Sequence, residues 1–297
     1  MAYRDNNKRV RTIKRAIITI VVVLVIVPTL LCVVLFFKLN KLQDKLDTLI
    51  SMKESGEIVL TTNDIGERIF VYSESVLPDV EEVVNLQDPN IVYLTFDDGP
   101  SKYTDDILDI LDTYGVKATF FVVGKEDQNS VEMYRSIVEK GNSLGIHTYS
   151  HVFKNIYSSE EDFAVEIEKL KTLLYSCTGI EVDLFRFPGG SSSPLINRYG
   201  NNVEEFISYL NENGYVYFDW NVSSGDGAEG KSTEDIINNV LSGVEGKKSS
   251  VILMHDDPNK GTTVEALPVI IKTLLENGYE IRPLDDTVTP VQHVLAE

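Results

Sequence analysis

The sequence predicts an α/β domain built on a parallel sheet, open or closed into a barrel, behind one membrane-crossing helix and a short stalk. Three observations carry this. From about Asn90 onward, short β-rich runs alternate with amphipathic helical patterns, as consecutive strand–helix units do. Ala16 to Phe37 is uncharged for 22 residues, enough to cross a bilayer core as one helix. The unusual polar clusters all fall at the ends of predicted strands, where such sheets gather their ligands.

Taken in order, residues 1–15 form a basic tail with Arg4, Lys8, Arg9, Arg11, Lys14 and Arg15, a flank that stays cytoplasmic. The apolar run 16–37 is too long for a signal-peptide core and is followed by Lys38-Leu39-Asn40-Lys41 rather than a small-residue cleavage site. An uncleaved single-pass anchor in the plasma membrane follows, with everything after Phe37 outside. Residues 38–88 read as stalk and linker. Leu39, Leu42, Leu46 and Leu49 make a short seam that suits weak self-association, though two heptads do not define a coiled coil. Ile58-Val59-Leu60 and Ile69-Phe70-Val71-Tyr72 give the linker some strand character. The remaining domain is 89–297, with strands predicted at 91–96, 117–123, 143–147, 183–187, 215–219, 250–254 and 279–282. Helices are predicted at 103–114, 131–140, 159–176, 202–212, 233–243 and 264–277.

Charge narrows the partners. The chain carries −19 overall, but residues 1–54 hold ten Lys/Arg against four Asp/Glu, or +6, which leaves −25 on the rest. So acidic a body excludes nucleic acid, whose phosphates need a basic footprint. Cys32 lies in the apolar run and Cys177 in the domain, so neither a disulfide nor a cysteine-rich metal site is expected.

Five clusters bear chemistry. Thr95-Phe96-Asp97-Asp98-Gly99-Pro100 ends the first strand of the domain; alternation would part the two carboxylates, but the Gly-Pro turn can bring both into one pocket. Two like charges so close call for a positive group between them, a metal or an arginine; an acidic capping turn is the plain alternative. His147-Thr148-Tyr149-Ser150-His151 sets two imidazoles four apart, which with a carboxylate makes a three-ligand metal site. Alone, that spacing is more often a surface accident. Arg186-Phe187-Pro188-Gly189-Gly190 offers a guanidinium to hold a carboxylate by a bidentate pair and glycine N–H groups for an oxyanion, or else a plain tight turn. Asp219-Trp220 through Asp226 contains the only tryptophan, either a sugar platform or core filling. Ile252-Leu253-Met254-His255-Asp256 ends a strand in a histidine suited to general acid work. His293, in the C-terminal tail, has no such context and is expected to be simply exposed.

In this order and at these separations, the five motifs resemble the polysaccharide deacetylase family, carbohydrate esterase family 4, over about residues 88–285. The resemblance implies a distorted (β/α) barrel with about seven strand–helix units and a metal-dependent hydrolase that removes acetyl from N-acetylated sugars. It implies Asp98, His147 and His151 as metal ligands, Asp97 as general base with Arg186 orienting it, and His255 as general acid set by Asp226. Leu253 and Trp220 would line the acetyl and sugar pocket, and the Gly189 N–H would help hold the oxyanion. Zinc is the expected cation, with cobalt, nickel and iron as alternatives for this donor set. The substrate favoured is peptidoglycan; an exopolysaccharide or chitin-like oligomer, or a non-catalytic wall-binding role, are the competing readings. Two departures stand out: many members carry a bulky aromatic where Gly189 stands, and another at Gly227, so substrate contacts there differ.

Overall fold

The computed structural model describes residues 58–62, 68–72, 90–199 and 202–295. The predicted anchor 16–37, Cys32 and the leucine seam of the stalk lie outside them. No helix among the described residues is long and apolar enough to cross a membrane. The chain divides into two compact units, Met1–Asn85 and Leu86–Glu297. In the first, the two apolar runs of the linker form β1 (Ile58–Thr62) and β2 (Arg68–Tyr72), an antiparallel pair with Leu60 opposite Phe70.

The second unit interleaves strands and helices as the alternation predicts, except that Val222–Ser223, a strand not predicted, follows Val216–Tyr217 with no helix between. Its strands are β3 (Ile91–Asp97), β4 (Thr119–Val122), β5 (Ser143–Ile146), β6 (Leu184–Phe185), β7 (Val216–Tyr217), β8 (Val222–Ser223), β9 (Ser249–His255) and β10 (Glu280–Ile281). The main helices are α1 (Thr104–Tyr114), α2 (Gln128–Glu139), α4 (Glu160–Thr178), α6 (Val203–Glu212), α7 (Thr233–Val244) and α8 (Gly261–Glu276). Two single turns, α3 (Phe153–Ile156) and α5 (Pro194–Asn197), were not predicted. The caps explain the helix starts. Asp127 accepts from the Ser130 N–H and pulls the start of α2 forward of residue 131; Ser232 and Asp235 form a reciprocal capping box on α7.

The sheet is parallel throughout, in the order β7-β6-β5-β4-β3-β9-β8. β9 pairs with β3 along its whole length, whereas β4 meets only Thr95–Asp97 and β10 only Ile91–Val92. β4 and β10 therefore share one edge of β3. The sheet curls into the distorted, incompletely closed (β/α) barrel that the resemblance implies. β6 and β7 are shorter than the runs that predict them, because only two residues of each keep ladder pairing around the curve.

Strand alternation separates two cores. Val92, Leu94, Phe96, Ile252 and Met254 face the helices, while Tyr93, Phe121, Leu184, Phe218 and Val251 meet inside the curl with Leu284. The C-terminal segment supplies Val288 and Val291 to that interior group. On the helix side, Phe163 of α4 is fully buried among Tyr157, Phe185, Phe187, Phe206 and Tyr209, its ring 4.7 Å from that of Phe206. Phe163→Ala would open a cavity at the centre of this group. It is expected to destabilise the domain by about 3–5 kcal/mol, seen as a lower denaturant midpoint with an unchanged slope.

Candidate active site

β3 delivers the first carboxylate by its register. Tyr93, Thr95 and Asp97 occupy the inward row, and Asp97 lies beside His255 at the end of β9. Asp98 would point the other way if the strand continued. Instead its backbone turns into the left-handed region at φ 75°, ahead of a cis Gly99–Pro100 bond, and both carboxylates come to the same imidazole, that of His147. His147 Nε2 lies 3.8 Å from Asp97 Oδ2 and 3.6 Å from Asp98 Oδ1. Two residues not singled out from the sequence hold this turn. Lys125 Nζ donates to the carbonyls of Asp98 and Pro100 at 3.2 and 2.5 Å. The buried Asp256 carboxylate accepts from Ser101 Oγ and Thr104 Oγ1 at 2.5 and 2.6 Å. A Cβ on Gly99 would come within 2.5 Å of Asp256 Oδ2, so glycine is required there. The one signal for Asp256 was its place directly after His255.

The histidines stand on a loop rather than a helical turn. Thr148 and His151 have φ of 68° and 51°, and with Asp98 they are the non-glycine residues of positive φ among those described. All three belong to this loop pair, so backbone strain is concentrated where the donor atoms meet. His151 Nε2 is 3.3 Å from Asp98 Oδ1, and the ligand atoms of Asp98, His147 and His151 lie within 4.8 Å of one another. His147 Nδ1–H donates to the Arg186 carbonyl at 2.8 Å, which leaves the Nε2 lone pair facing the cavity. Burial, and then the neighbouring His147, push the His151 pKa down, keeping its imidazole neutral. Asp98 Oδ1 is buried with no hydrogen-bond partner. An orphaned carboxylate oxygen between two imidazole lone pairs is costly alone, and fits a divalent cation.

Arg186 is not a surface arginine on a tight turn: it is fully buried inside the curl. Its guanidinium does not form the bidentate pair that was expected. Nη1 donates to Asp97 Oδ1 at 2.8 Å and to Thr95 Oγ1 at 2.6 Å, Nε to the Phe218 carbonyl at 2.9 Å, and Nη2 to the Asp219 carbonyl at 3.1 Å. Its Cζ lies over the Phe121 ring, 4.2 Å from the ring centre. One oxygen of Asp97 is thereby fixed, and the other faces His147.

Across the cavity, His255 Nδ1 meets Asp226 Oδ1 at 2.8 Å. Asp226 also accepts from the His255 and Ser224 sides and from Thr263 Oγ1 at 2.9 Å, which locks its orientation. Burial alone would lower the His255 pKa; the Asp226 hydrogen bond and charge outweigh it, with Asp97 and Asp98 adding, and raise it to about 9. Lys260 Nζ donates to the Asp226 carbonyl at 2.5 Å. A Cβ on Gly227 would stand 3.3 Å from His255 Cε1, so a larger residue would crowd the ring.

Phe187-Pro188-Gly189-Gly190 is a turn closed by the Gly190 N–H on the Phe187 carbonyl, with Gly189 at φ 80°. The Gly189 N–H donates to no acceptor among the described residues. Leu253 is nearly buried on β9, in the inward row two residues before His255. Trp220 is half-buried: a Cβ on Gly190 would touch its ring at 2.9 Å, and His293 packs edge-on against it at 5.1 Å. His293 is exposed, as expected, yet not without context. Its Nε2 lies 2.7 Å from the Trp220 carbonyl and its main-chain N–H donates to Asp219 Oδ2 at 2.8 Å.

With the geometry in view, the comparisons are direct. The family model for polysaccharide deacetylase matches residues 85–215. A Bacillus subtilis (strain 168) protein described as a putative polysaccharide deacetylase is 33% identical over 254 residues, covering 81% of this chain and 86% of its own. The chain belongs to the polysaccharide deacetylase family. A peptidoglycan-N-acetylglucosamine deacetylase of Bacillus cereus is 33% identical over 201 residues, 66% of this chain and 70% of that one. Among solved structures, the catalytic domain of a peptidoglycan N-acetylglucosamine deacetylase from Eubacterium rectale superposes with a TM-score of 0.67 at 38% identity, covering 69% of this chain and 93% of that domain.

Asp226 holds a proton on His255 against the effect of burial. In an NMR titration of the metal-free protein, the His255 ring is expected to stay protonated through neutral pH and lose its proton as pH rises through about 9. In Asp226→Asn the main raising partner is gone while burial remains and Asp97 and Asp98 still raise it, so the same ring is expected to lose its proton at lower pH than in the wild type.

Proposed function

We propose that this chain is a divalent-metal-dependent hydrolase that removes N-acetyl groups from the amino sugars of a cell-wall polysaccharide, with peptidoglycan as its substrate. One observation carries the reading: the Asp98, His147 and His151 donor atoms converge beside an arginine-held carboxylate on one side and a carboxylate-held imidazolium on the other. The names of the relatives support the polymer class, since several are peptidoglycan-N-acetylglucosamine deacetylases.

An amide carbonyl is a weak electrophile and an amide nitrogen a poor leaving group. A divalent cation held by Asp98, His147 and His151, zinc in this proposal, would supply charge stabilisation at the carbonyl oxygen and lower the pKa of water. Asp97 is free of that duty and takes the proton from the attacking water, its carboxylate aligned by Arg186. The Gly189 N–H, which donates to no acceptor among the described residues, would donate to the oxygen that gains negative charge. His255 enters the reaction as imidazolium, stabilised by Asp226, and protonates the departing nitrogen. Leu253 offers an apolar wall to the acetyl methyl. Trp220 stands beside the Gly189 turn, where it would meet the sugar. The uncharged run 16–37 would anchor the chain in the plasma membrane with this domain outside, within reach of the wall.

Product analysis by mass spectrometry on defined peptidoglycan fragments, run beside chitooligomers and with and without chelator, tests this. Acetate release from peptidoglycan that stops on chelation and returns with added zinc is expected. Asp97→Asn and His255→Ala are each expected to lower kcat by about 10²–10⁴-fold. Release only from chitooligomers would reassign the polymer. A folded, cation-loaded protein that deacetylates neither would turn the reading toward a wall-binding module.

A further inference from the structure

Asp219 is a fully buried carboxylate that the reaction itself does not use. Its Oδ1 accepts the Ser191 N–H at 2.8 Å and its Oδ2 accepts Ser191 Oγ at 2.5 Å, so it grips the residue that follows the Gly189–Gly190 turn. The same Oδ2 accepts the main-chain N–H of His293 at 2.8 Å, and the Val294 N–H donates to Ser191 Oγ at 3.1 Å. Around this knot the C-terminal segment is fastened along the end of β7. The Asp219 N–H donates to the Val291 carbonyl at 2.7 Å, Gln292 Nε2 donates to the Tyr217 carbonyl at 3.3 Å, and the Tyr217 hydroxyl donates to the Val294 carbonyl. Such contacts are more than a tail needs to lie on a surface. A buried carboxylate requires its donors, and two of the three here come from the turn while the third comes from a segment about 100 residues later.

We propose that the C-terminal strap Val291–Val294, gripped by Asp219, is a positioning element of the active site that fixes the Phe187–Ser191 turn and with it the Gly189 N–H. The inference rests on the deacetylase reading, which gives that N–H its task. Neither Asp219 nor the strap touches the reacting atoms. Both act on the turn, the Asp219 carbonyl also accepts from Arg186 Nη2, and the strap's bonds to Asp219 and Ser191 are made by its main chain. The metal donors stand on the loops after β3 and β5 and make no hydrogen bond to it.

The test uses the full-length chain and exchanges one atom pair. His293→Pro removes the N–H that Asp219 accepts; His293→Ala keeps it. On the peptidoglycan fragments used above, His293→Pro is expected to lower kcat by about 10- to 100-fold, since misplacing a group by about 1 Å costs that order. KM and zinc affinity by calorimetry are expected to stay within about two-fold of wild type, the pattern of an interaction made only in the transition state. Amide exchange at Ser191 should quicken in the same variant. His293→Ala is expected to keep most of the wild-type kcat. If His293→Pro fails to bind zinc and so has not folded, Ser191→Ala decides, because it removes the hydroxyl bridging Asp219 to Val294; a fall in kcat at retained zinc affinity supports the proposal. Unchanged kcat in a folded, zinc-binding His293→Pro or Ser191→Ala overturns it, as does an equal loss in His293→Ala and His293→Pro. Absence of acetate release by the wild-type chain is a different failure, seen before any variant is made: it sinks the deacetylase reading and the strap's role with it.

Discussion

A guanidinium with no solvent contact sets the terms for the rest of this domain. Burying a charge of that size is costly unless every donor finds an acceptor and an opposite charge stands close. Arg186 comes near both conditions: Asp97 is its counter-charge, and with Thr95, Phe218 and Asp219 as further acceptors four of its five N–H groups are bonded. Those partners come from β3 and from the chain leaving β7, on opposite sides of the curl. The charge thus ties the two sides together at the height where the chemistry is placed. It also divides labour between adjacent carboxylates: Asp97 is held by the arginine, and Asp98 is left to the imidazoles.

The two halves of the site are built by different means. Asp97, Arg186 and His255 stand on or just past regular strands, and their directions follow from pleat and register. Asp98 and His151 stand on loops, at backbone angles that side chains seldom adopt. Strands give rigidity to the groups that move protons. The strained loops bend back over the strand ends and aim their donor atoms at one point, with Lys125 and Asp256 holding the first of them down.

Much of this was legible in the sequence because polar residues interrupt apolar runs at definite places. Asp97-Asp98 closes the run beginning at Ile91, and His255 closes the one from Val251, so their place at strand ends needed only the alternation rule. Asp226 had no such mark: it lies in a loop of small and polar residues, and the family resemblance supplied it. The burial of Arg186 was hidden because its acceptors are mostly main-chain carbonyls and a threonine, which carry no pattern. For the same reason the link between Asp219 and the tail near His293 left no pattern, since it is made through main-chain N–H groups and the Ser191 hydroxyl. β6 and β7 were drawn too long from their apolar runs, because curvature rather than composition ends their pairing.

The position of β3 has a cost during biosynthesis. It is the first strand of its domain to be made and becomes the centre of the sheet, yet its full-length neighbour is β9, with Thr95 bonding to a carbonyl 157 residues further on. At ribosomal rates of roughly 5–20 residues per second, that neighbour arrives about 8–30 s later. Through that interval Val92, Leu94 and Phe96 stand on an unpaired edge, the kind that recruits stray strands. Nascent chains of this protein are therefore expected to be prone to aggregate until β9 has emerged.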